Sequence, residues 1–479
     1  MSHAHARDEY RGDQYRGDQY RGDKDRGDQD PDDQDPDDRD PDDRRRRTGA
    51  GVTPRLTMDW QRADRAATLR EHSARFGPLR ANAARRGNRD LLDQIAAAGL
   101  TGRGGASFPT AKKMRAVAAG RGPAVVVANG MESEPASEKD QALLARAPHL
   151  VLDGISVAAT AVGAAEAHLC LSRTRGWLVD SVLAAIAERE QAGADRIGVA
   201  VHELPHHYVS SEETALVHWL NGGEAKPTST PPRPFERGVG KRPTLVDNVE
   251  TLAHVALIAR YGAAWFREAG TGGGAGTMLT TVAGAVSRPG VYEVEAGTSV
   301  GDVLELAGLR ERSEAVLIGG YFGTWHDLEV IADLPFTAAG LRPAGGSPGA
   351  GVLFALPAGT CGLAEAARIM RYLASQGAQQ CGPCIFGLPA IADDLAQLAA
   401  GRPEGDPLSR MQRRFGVISG RGACRHPDGA VRMAASAIRT FGADAHAHAR
   451  RRPCLAAHRG RQQTALLPVP RPFAEGDWR

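Results

Sequence analysis

The sequence predicts an α/β fold, followed by a small β-rich segment and a helical C-terminal part. Residues 125–128 (Val-Val-Val-Ala) form a short continuous apolar run, which is typical of a buried parallel strand. Residues 278–286 and 291–294 are strand-like runs on either side of an Arg-Pro-Gly turn, which predicts a hairpin. Helical spacing of apolar residues in 364–375 and 431–441 predicts helices nearer the C-terminus.

The composition excludes several classes of protein. With 479 residues, 42% of them hydrophobic, the chain can bury two or three cores. Its 59 basic and 57 acidic residues leave a net charge of +2, which argues against nucleic acid or an anionic membrane surface as a partner. The most apolar stretch, Leu150–Leu169, is interrupted by Asp153, Glu166 and His168 and is too polar for a membrane span. Because the N-terminus also lacks an apolar signal-peptide core, we expect the protein in the cytoplasm.

The first residues differ from the rest of the chain. YRGDQ repeats give way to DPDD repeats and then to Arg44–Arg47, with almost no aliphatic residues. Such a segment cannot bury enough apolar surface to offset its ordering entropy, so we predict a disordered extension over residues 1–57. We interpret its RGD tripeptides as low-complexity sequence rather than as an adhesion motif, and Met58 is an alternative start.

A glycine-rich loop follows the helical pattern of Leu91–Ala98. The segment Gly102-Arg-Gly-Gly-Ala-Ser-Phe-Pro-Thr-Ala-Lys-Lys113 combines glycines with cations. Glycine allows positive φ and a close approach to a ligand, and successive N–H groups form an anion-binding concavity. With the charges of Arg103 and Lys113, the loop predicts a site for a phosphate-bearing cofactor; the alternative is an ordinary flexible turn.

Three further segments place polar residues where a ligand would bind. The loop after the predicted strand at 125–128 leaves its carboxyl end, where ligands bind in open α/β sheets, and it carries Asn129, Glu132, Ser133 and Glu134. A lone acidic loop of this kind would favour a solvated turn.

The other two segments precede helical patterns. After Tyr208, a serine pair stands before Glu212-Glu213, which predicts a helix start with a serine cap. The pair Asp247-Asn248 precedes a helical pattern that runs to Phe266.

The six cysteines are Cys170, Cys361, Cys381, Cys384, Cys424 and Cys454. In a large cytoplasmic chain they favour metal ligands or buried thiols over disulfides, and Cys170 lies in an apolar run typical of the core. The C-x-x-C pair Cys381-Gly-Pro-Cys384 is compatible with a thioredoxin-like, a zinc or an iron–sulfur site. The segment before it is helical rather than strand-like, and the chain has no second C-x-x-C, so iron–sulfur is favoured.

In chain order, the four polar segments are GRGGASFPTAKK, NGMESEPASEKD, YVSSEETAL and PTLVDNVETL. They resemble GRGGAGFPTGLK, NADESEPGTFKD, YxCGEETAL and PTxVNNVETL of the family of NADH-quinone oxidoreductase F-type subunits, the NADH-binding flavin and iron–sulfur subunits of respiratory complex I. The resemblance runs from about Leu91 to about Phe441. Four ordered motifs are far more specific than one glycine-rich loop, so the chain is identified as a divergent member.

Several positions depart from the family pattern. Ser107 and Ala111 replace glycines, Ser211 replaces the glycine of GEE, and Asp247 replaces the first asparagine of NNVET. The phosphate-cradling core and the acidic pairs remain. The pattern indicates a branch that keeps FMN and alters the nicotinamide site more.

The resemblance also implies a domain order. It places a Rossmann-like α/β FMN/NADH domain at 58–270, a ubiquitin-like β-grasp (SLBB-like) domain at 277–340 and a helical-bundle iron–sulfur domain at 350–445, with a basic tail at 446–479. The β-grasp domain is expected to serve docking rather than chemistry.

Carried over by motif position, the resemblance implies a set of FMN- and NADH-binding residues. They are Gly102, Arg103, Gly104, Gly105, Phe108, Lys113, Asn129, Glu132, Ser133, Glu134, Tyr208, Glu212, Glu213 and Asn248. Phe108 would stack on the nucleotide, and Glu132 and Glu134 would bond the flavin edge or the nicotinamide amide. FMN takes a hydride from NADH and releases single electrons, here to a [4Fe-4S] cluster.

The cluster ligands follow from the family motif SCGxCxPCR and a distant cysteine. Cys381 and Cys384 match the first two ligands and Cys424 the distant one, but the third position is Gly387. Cys454 is the first choice for the missing ligand. The other candidates are Cys361, His426, His446 and His448. A labile three-cysteine cluster and the absence of a cluster stay open.

The resemblance implies partners as well. Relatives work with a ferredoxin-like or [2Fe-2S] partner subunit and some with membrane subunits, so we expect a place in, or peripheral to, a membrane-bound redox complex. Two alternatives to an NADH-oxidising subunit remain: a flavoprotein that exchanges electrons with ferredoxin, and a non-catalytic scaffold subunit.

Overall fold

The computed structural model describes residues 53–58, 60, 65–77, 79, 88–310, 313–459, 466–470 and 477–479. The helices are α1 (Leu69–Phe76), α2 (Asn88–Ala98), α3 (Thr110–Ala118), α4 (Lys139–Arg146), α5 (Pro148–Val162), α6 (Gly176–Gln191), α7 (Glu213–Leu220), α8 (Val249–Arg267), α9 (Val300–Leu306), α10 (Leu328–Ile331), α11 (Ala338–Leu341), α12 (Gly362–Ser375), α13 (Leu388–Ala399), α14 (Pro407–Ile418), α15 (His426–Thr440), α16 (Gly442–Ala449) and α17 (Leu455–Arg459). The strands are β1 (Ala124–Gly130), β2 (Ala164–Ser172), β3 (Val199–Leu204), β4 (Thr244–Asn248), β5 (Thr277–Gly284), β6 (Gly290–Glu295), β7 (Ala315–Ile318), β8 (Thr324–Asp327) and β9 (Val352–Ala355).

The first sheet is parallel throughout, which confirms the α/β prediction for this part of the chain. Its strand order is β3-β2-β1-β4, and each neighbouring pair runs in the same direction. The predicted strand at 125–128 is the buried centre of β1. It is apolar on both faces because helices cover both sides of a parallel sheet.

The strand order reverses at β1. The chain adds β2 and β3 on one side of β1 and returns to add β4 on the other side. The carboxyl ends of β1 and β4 therefore flank a topological switch point, the usual place for a ligand crevice in an open α/β sheet. Helix α8 starts directly after β4, with Asn248 as its N-cap, as the helical pattern predicted.

Helices α5 and α8 pack in very close contact. A Cβ at Gly154 of α5 would lie 2.0 Å from the carbonyl oxygen of Leu252 in α8, so only glycine permits this approach. Helix α5 is almost entirely buried, helix α8 is buried over residues 249–258, and both contribute to one core with the strands of the first sheet. The N-terminal end of α8 is therefore held firmly beside the crevice.

The second sheet is mixed, with the order β6-β5-β9-β7-β8. The predicted hairpin is confirmed, because β5 and β6 pair antiparallel with Met278 opposite Val294. The short helix α9 is capped by the Ser299 hydroxyl, which accepts from the Asp302 N–H at 3.1 Å. Gly308 follows with a φ of +72°, which allows the chain to leave the helix.

Residues just before the first helices bind to this second sheet. The N–H groups of Arg55, Leu56 and Thr57 donate to the Glu293 carboxylate of β6 at 2.9–3.0 Å. Leu56 is buried. The predicted disordered extension lies outside the described residues for positions 1–52, whereas its last few residues are held at β6.

The C-terminal helices share a hydrophobic core with β7 and β9. The predicted helix at 364–375 is confirmed as α12, whereas the helix predicted at 431–441 begins earlier, at His426. The segment after α16 contributes to this core, because Leu467 is buried in the core.

No single described helix is both long and apolar enough to cross a membrane, although α4 and α5 satisfy that requirement jointly as a pair bent by 97°.

Candidate functional site

Two asparagines meet at the switch point. Asn129 of β1 and Asn248 of β4 are register partners at the carboxyl ends of their strands. The Asn129 amide donates to the Ser211 carbonyl at 2.8 Å. The Asn248 amide donates to the Asp140 carboxylate at 2.6 Å, and its side-chain oxygen accepts from the first turn of α8. Both amides are thus fixed at the crevice.

The glycine-rich loop lies against the same point. The Gly102 N–H donates to the Phe108 carbonyl at 2.8 Å, which closes the loop on itself. The Arg103 N–H donates to the Thr251 hydroxyl of α8 at 2.9 Å. A Cβ at Gly104 would lie 3.3 Å from the Cβ of Asn248, a separation that leaves little room for any larger residue.

Arg103 is nearly buried and held by its surroundings. Its guanidinium donates to the Thr101 hydroxyl at 3.1 Å and to the Thr277 carbonyl at 3.0 Å. Burial lowers the pKa of Arg103, and the Glu250 carboxylate, 3.7 Å from Nε, opposes that effect. The buried Nε has no hydrogen-bond partner within the described part of the chain, so one donor is left for a ligand.

A cavity of about 630 Å³ opens beside the loop, within the range of small-molecule and cofactor sites. Its walls come from the loop, from α8 and from the segments around the second sheet. The lining residues that matter here are Gly102, Arg103, Ser107, Lys139, Glu250, Met278 and Gly349.

A buried charge network supports this cavity. Lys139 Nζ lies 2.7 Å from the Asp140 carboxylate and 2.9 Å from that of Glu250. Burial alone would lower the pKa of Lys139, but the two carboxylates raise it above its usual value, so the ammonium stays charged. Lys139 and Glu250 are not among the residues that the sequence predicted for the site. Their positions could have indicated them, because each stands two to five residues after a residue that was predicted for the site.

Lys113 points at the end of β4. Its ammonium donates to the Val246 carbonyl at 2.8 Å and to the Asp247 carboxylate at 3.2 Å, with Glu213 at 4.0 Å. Burial lowers the pKa of Lys113, whereas Asp247 and Glu213 raise it by more. Asp247, which stands where the family has asparagine, therefore competes with any phosphate for this cation.

Glu132 and Glu134 are held by contacts of the fold. Glu132 has a positive φ of +35° and accepts from the N–H groups of Asp140 and Gln141, both at 2.9 Å, at the start of α4. Glu134 accepts from the Tyr208 hydroxyl at 2.6 Å and from the Tyr321 N–H at 2.8 Å. Burial raises the pKa of Glu134 to about 7.

The serine cap predicted before the Glu212 pair is wrong. Ser210 and Ser211 belong to a 3₁₀ turn, and Glu212 itself caps α7, accepting from the Thr214 N–H at 2.8 Å. Ser211 and Ser133 instead contact each other through their hydroxyls. A carboxylate satisfies the N–H groups and also favours the positive end of the helix, so it replaces the hydroxyl here.

Phe108 is the exposed aromatic residue of the site. Its side chain is 43% exposed, and Lys112 Nζ lies 5.8 Å from the ring centre. An exposed ring on the glycine-rich loop is available to stack on a flat ligand.

Three cysteines, Cys381, Cys384 and Cys424, lie near one another in the C-terminal helical part. Burial raises the pKa of Cys384 to about 12, and the neighbouring Cys381 and Cys424 thiols add to the rise. Burial is also the main cause of the raised pKa of Cys424, and the Glu212 charge contributes. Glu212, which caps α7, is therefore near enough to Cys424 for its charge to affect that thiol.

At the position of the missing cluster ligand, a side chain would have to displace the end of the Ile418 side chain. A Cβ at Gly387 would lie 2.6 Å from Cδ1 of Ile418. Cys454, the first choice for the fourth ligand, has other neighbours: its ligand atom lies within 4.8 Å of those of Cys361 and His448. The residues present supply three of the four thiolates that a [4Fe-4S] cluster takes.

The comparisons with known proteins agree with this geometry. Residues 95–257 match the Nuo51 FMN-binding domain, 364–448 match the NADH-ubiquinone oxidoreductase-F iron-sulfur binding region, and 279–310 match the SLBB domain. The chain is 31% identical to the second F-type subunit of NADH-quinone oxidoreductase of Rhizobium meliloti over 385 residues, covering 76% of this chain and 90% of that protein. The chain belongs to the family of NADH-quinone oxidoreductase F-type subunits.

Other members and a solved structure extend the comparison. The F-type subunit of the Escherichia coli NADH-quinone oxidoreductase is 32% identical over 375 residues, covering 74% of this chain and 82% of its own length. An NAD⁺-reducing [NiFe]-hydrogenase, solved in its air-oxidised state, superposes with a TM-score of 0.70 at 30% identity. That match covers 77% of this chain and 63% of the hydrogenase chain, so this chain spans less than two thirds of it.

The residues within the matched regions are suited to FMN and to an iron–sulfur cluster. The FMN-binding match contains the glycine-rich loop and both asparagines of the crevice, and the iron–sulfur match contains Cys381, Cys384 and Cys424. The buried Nε of Arg103, which makes no hydrogen bond to any residue that the structure describes, and a glycine-lined approach to Asn248 fit a phosphate-bearing flavin.

Proposed function

We propose that this chain is an electron-entry subunit that oxidises NADH, uses FMN and passes electrons to an iron–sulfur cluster and on to a partner subunit. One observation carries the proposal furthest. The glycine-rich loop packs against Asn248 at the carboxyl end of β4, beside its register partner Asn129 at the end of β1.

In this proposal the loop binds FMN. Gly102, Gly104 and Gly105 allow the backbone to approach the phosphate, and Arg103 and Lys113 supply positive charge. Asn129 and Asn248 orient the flavin from the strand ends. When bound, FMN accepts a hydride and releases its electrons singly, which a nicotinamide does not do.

The acidic residues act around the cofactor in three ways. Glu132 and Glu134, with Ser133 and Tyr208, hold the loop after β1 in shape and place negative charge near the flavin edge. Glu212 and Glu213 shape the dinucleotide side. Phe108 stacks on the nucleotide from the exposed mouth of the crevice.

Cys381, Cys384 and Cys424 are the proposed cluster ligands. All three lie within one group. In addition to burial, Cys381 and Cys424 raise the pKa of Cys384, and Cys381 raises that of Cys424. The three cysteines supply three thiolates, and the fourth iron of the cluster has no cysteine at position 387. Gly387 is in close contact with Ile418 there.

The domain division is part of the proposal. We assign 58–270 to the FMN/NADH domain, 277–340 to a ubiquitin-like β-grasp domain and 350–445 to a helical iron–sulfur domain, with residues 1–57 and 446–479 as terminal segments. The SLBB match at 279–310 and strands β5 to β8 support the middle assignment, and the same sheet also includes β9 beyond residue 340. The core shared by α12, α13 and α15 supports the third.

Partners and location follow from the relatives. Those relatives are named as subunits of NADH-quinone oxidoreductase, so the proposed partners are a ferredoxin-like or [2Fe-2S] subunit and a membrane-bound redox complex on its cytoplasmic side.

A second candidate function is electron exchange with ferredoxin instead of NADH. Arg233 lies 3.6 Å from Glu213, and Lys113 approaches the same carboxylate at 4.0 Å, so the dinucleotide side is partly closed by ion pairs. Reduction of the flavin by reduced ferredoxin but not by NADH would select this candidate.

The binding site is tested by measuring FMN content. Replacing both Arg103 and Lys113 with alanine removes two charged contacts worth about 1.5–3 kcal/mol each, so FMN affinity falls by about 100-fold or more. Arg115→Ala is the matched control, because Arg115 lies on the same helix as Lys113 but pairs with Asp93 at the surface. A double variant that keeps stoichiometric FMN would contradict the site.

A further inference from the structure

A second group of metal-ligand side chains lies apart from the three cluster cysteines. The ligand atoms of Cys361, His448 and Cys454 all lie within 4.8 Å of one another. Cys361 and His448 are buried, and Cys454 is half-buried. We propose that these three residues bind one Zn²⁺ ion, separate from the iron–sulfur cluster.

Three different elements bring the ligands together. Cys361 is the residue before α12, His448 lies in the last turn of α16, and Cys454 is the residue before α17. The three are 87 and 6 positions apart along the chain, so no local motif reveals the group in the sequence. Only the folded helical part places them at one point.

Close packing holds the ends of these elements. A Cβ at Gly362 would lie 2.2 Å from the Phe441 ring, so the start of α12 contacts the residue before α16 directly. A Cβ at Gly401 would lie 2.8 Å from Cγ of Pro453, the residue before Cys454. Such contacts restrict the movement of the two cysteine-bearing segments and pre-organise the group.

The hydrogen bonds of His448 fix the lone pair that a metal would take on Nε2 rather than on Nδ1. Its Nδ1–H donates to the Leu398 carbonyl at 3.1 Å, which fixes the tautomer. Its Nε2 carries the lone pair and accepts from the Cys454 N–H at 2.9 Å. A metal-binding histidine usually donates its other ring N–H to a carbonyl in this way, which orients the ring. Metal binding would replace the hydrogen bond from the Cys454 N–H with a bond from the Nε2 lone pair to the metal.

The donor set selects the ion. Two thiolates and one imidazole suit Zn²⁺, which takes tetrahedral sites with sulfur at about 2.3 Å and nitrogen at about 2.0–2.1 Å. Ligand atoms of such a site lie about 3.3–3.8 Å apart, so the group needs to contract by only about an ångström from its 4.8 Å limit. A [4Fe-4S] cluster usually takes four cysteines, and this group offers two sulfur atoms.

The charges balance in a buried position. Two thiolates neutralise Zn²⁺, and the imidazole adds none, so the ion leaves no uncompensated charge. A water molecule completes the fourth position and adds no charge. Binding releases the thiol protons to solvent and changes no oxidation state.

Such an ion would tie the C-terminal segment to the helical core. It would connect the start of α12 to the end of α16 and the start of α17 across a separation of 93 residues. Zinc would thus stabilise the part of the chain that carries the cluster cysteines, without taking part in electron transfer.

The test measures zinc and iron together in the full-length protein purified without added metal or chelator. We expect about one zinc per chain in addition to the cluster iron. The variant Cys361→Ser with Cys454→Ser should lose zinc but keep iron, FMN and the NADH response. Cys170→Ser is the control, because Cys170 is a buried thiol in β2 outside both groups, and it should keep both metals.

A second measurement does not depend on variants that fold. Titrating the chelator-treated wild-type protein with Co²⁺ should give thiolate-to-cobalt absorption bands that saturate at one equivalent and disappear when Zn²⁺ is added. Absence of those bands, or a Cys361–Cys454 disulfide in the anaerobically purified protein, overturns the proposal. Loss of iron in step with zinc in the double variant also overturns it, because Cys454 would then be a cluster ligand.

Discussion

Asn129 and Asn248 lie side by side at the carboxyl ends of two adjacent parallel strands. This pairing marks the point where the strand order reverses, and the glycine-rich loop is tied to the same point through the Arg103 N–H and the Thr251 hydroxyl. Under the proposed function, a phosphate at this loop and a flavin ring at the asparagines would therefore occupy one continuous site.

Asn248→Ala is expected to reduce both stability and FMN binding. The side chain caps α8 through its contact with the Glu250 N–H at 3.0 Å, and loss of such a cap costs about 1 kcal/mol. It also loses the amide that donates to Asp140. Denaturant unfolding and FMN titration measure the two effects.

Asn248→Ser separates these effects. Serine keeps the cap but has no amide, so unfolding should stay near the wild-type value while FMN affinity falls. Equal FMN binding by the serine variant and the wild type would show that the amide does not contact the flavin.

Asp247→Asn is expected to tighten FMN binding. The Asp247 carboxylate lies 3.2 Å from Lys113 Nζ, where it competes with the phosphate for the same cation. Burial raises the pKa of Asp247, so the neutral amide also removes an unfavourable buried charge. An affinity gain of about tenfold corresponds to about 1.4 kcal/mol.

The control for this change is Asp93→Asn, which removes an exposed carboxylate that pairs with Arg115. It should leave FMN affinity unchanged, because surface pairs contribute little. Weaker binding by Asp247→Asn would show that the carboxylate positions Lys113 instead of competing for it.

Gly387→Cys alone is expected to destabilise the protein. Its Cβ would lie 2.6 Å from Ile418 Cδ1, and overpacking of this kind costs about 1–3 kcal/mol. Adding Ile418→Ala makes room, so the double variant should fold better than Gly387→Cys and retain its iron longer in air, with a fourth cysteine ligand. Unfolding midpoints and the rate of iron loss are the measurements, and an unchanged rate of iron loss would show that the new thiol does not reach the cluster.

Stability should depend on pH through Glu134. Burial raises its pKa to about 7 in the folded chain, above the ordinary value of 4.5, so the folded state binds a proton that the unfolded state has lost. This contribution is complete below about pH 4.5 and is lost as the pH rises through 7.

Glu134→Gln removes this titration, so its stability relative to the wild type should increase between pH 5 and pH 8, by a few kcal/mol at the upper limit. The comparison of the two unfolding curves at each pH is the measurement. A constant difference across that range would show that Glu134 has an ordinary pKa.

Local sequence patterns were sufficient to predict the strands and helix starts near the site. The apolar run at 125–128, the helix after the Asp247-Asn248 pair and the hairpin of β5 and β6 each depend on neighbouring residues, and each is present. The prediction of a serine cap before α7 was wrong. The serine hydroxyls and the Glu212 carboxylate stand within three positions, either group can cap a helix, and the carboxylate of Glu212 is the one that does so.

Contacts between distant segments could not be read in the same way. Lys139 meets Glu250 across more than a hundred residues, and Cys454 meets Cys361 across a similar distance in the helical part. Neither pair has a fixed spacing, because the packing of whole helices sets the separation. The sequence therefore indicated Cys454 as a metal ligand but did not reveal its neighbours.

The most direct test of the proposed function is an anaerobic absorption titration of the purified chain with NADH. The proposal predicts a flavin band with a broad iron–sulfur shoulder, and stoichiometric NADH should bleach both, the shoulder only while Cys381, Cys384 and Cys424 are intact. A bound flavin that NADH leaves oxidised, or a protein without flavin, would contradict it.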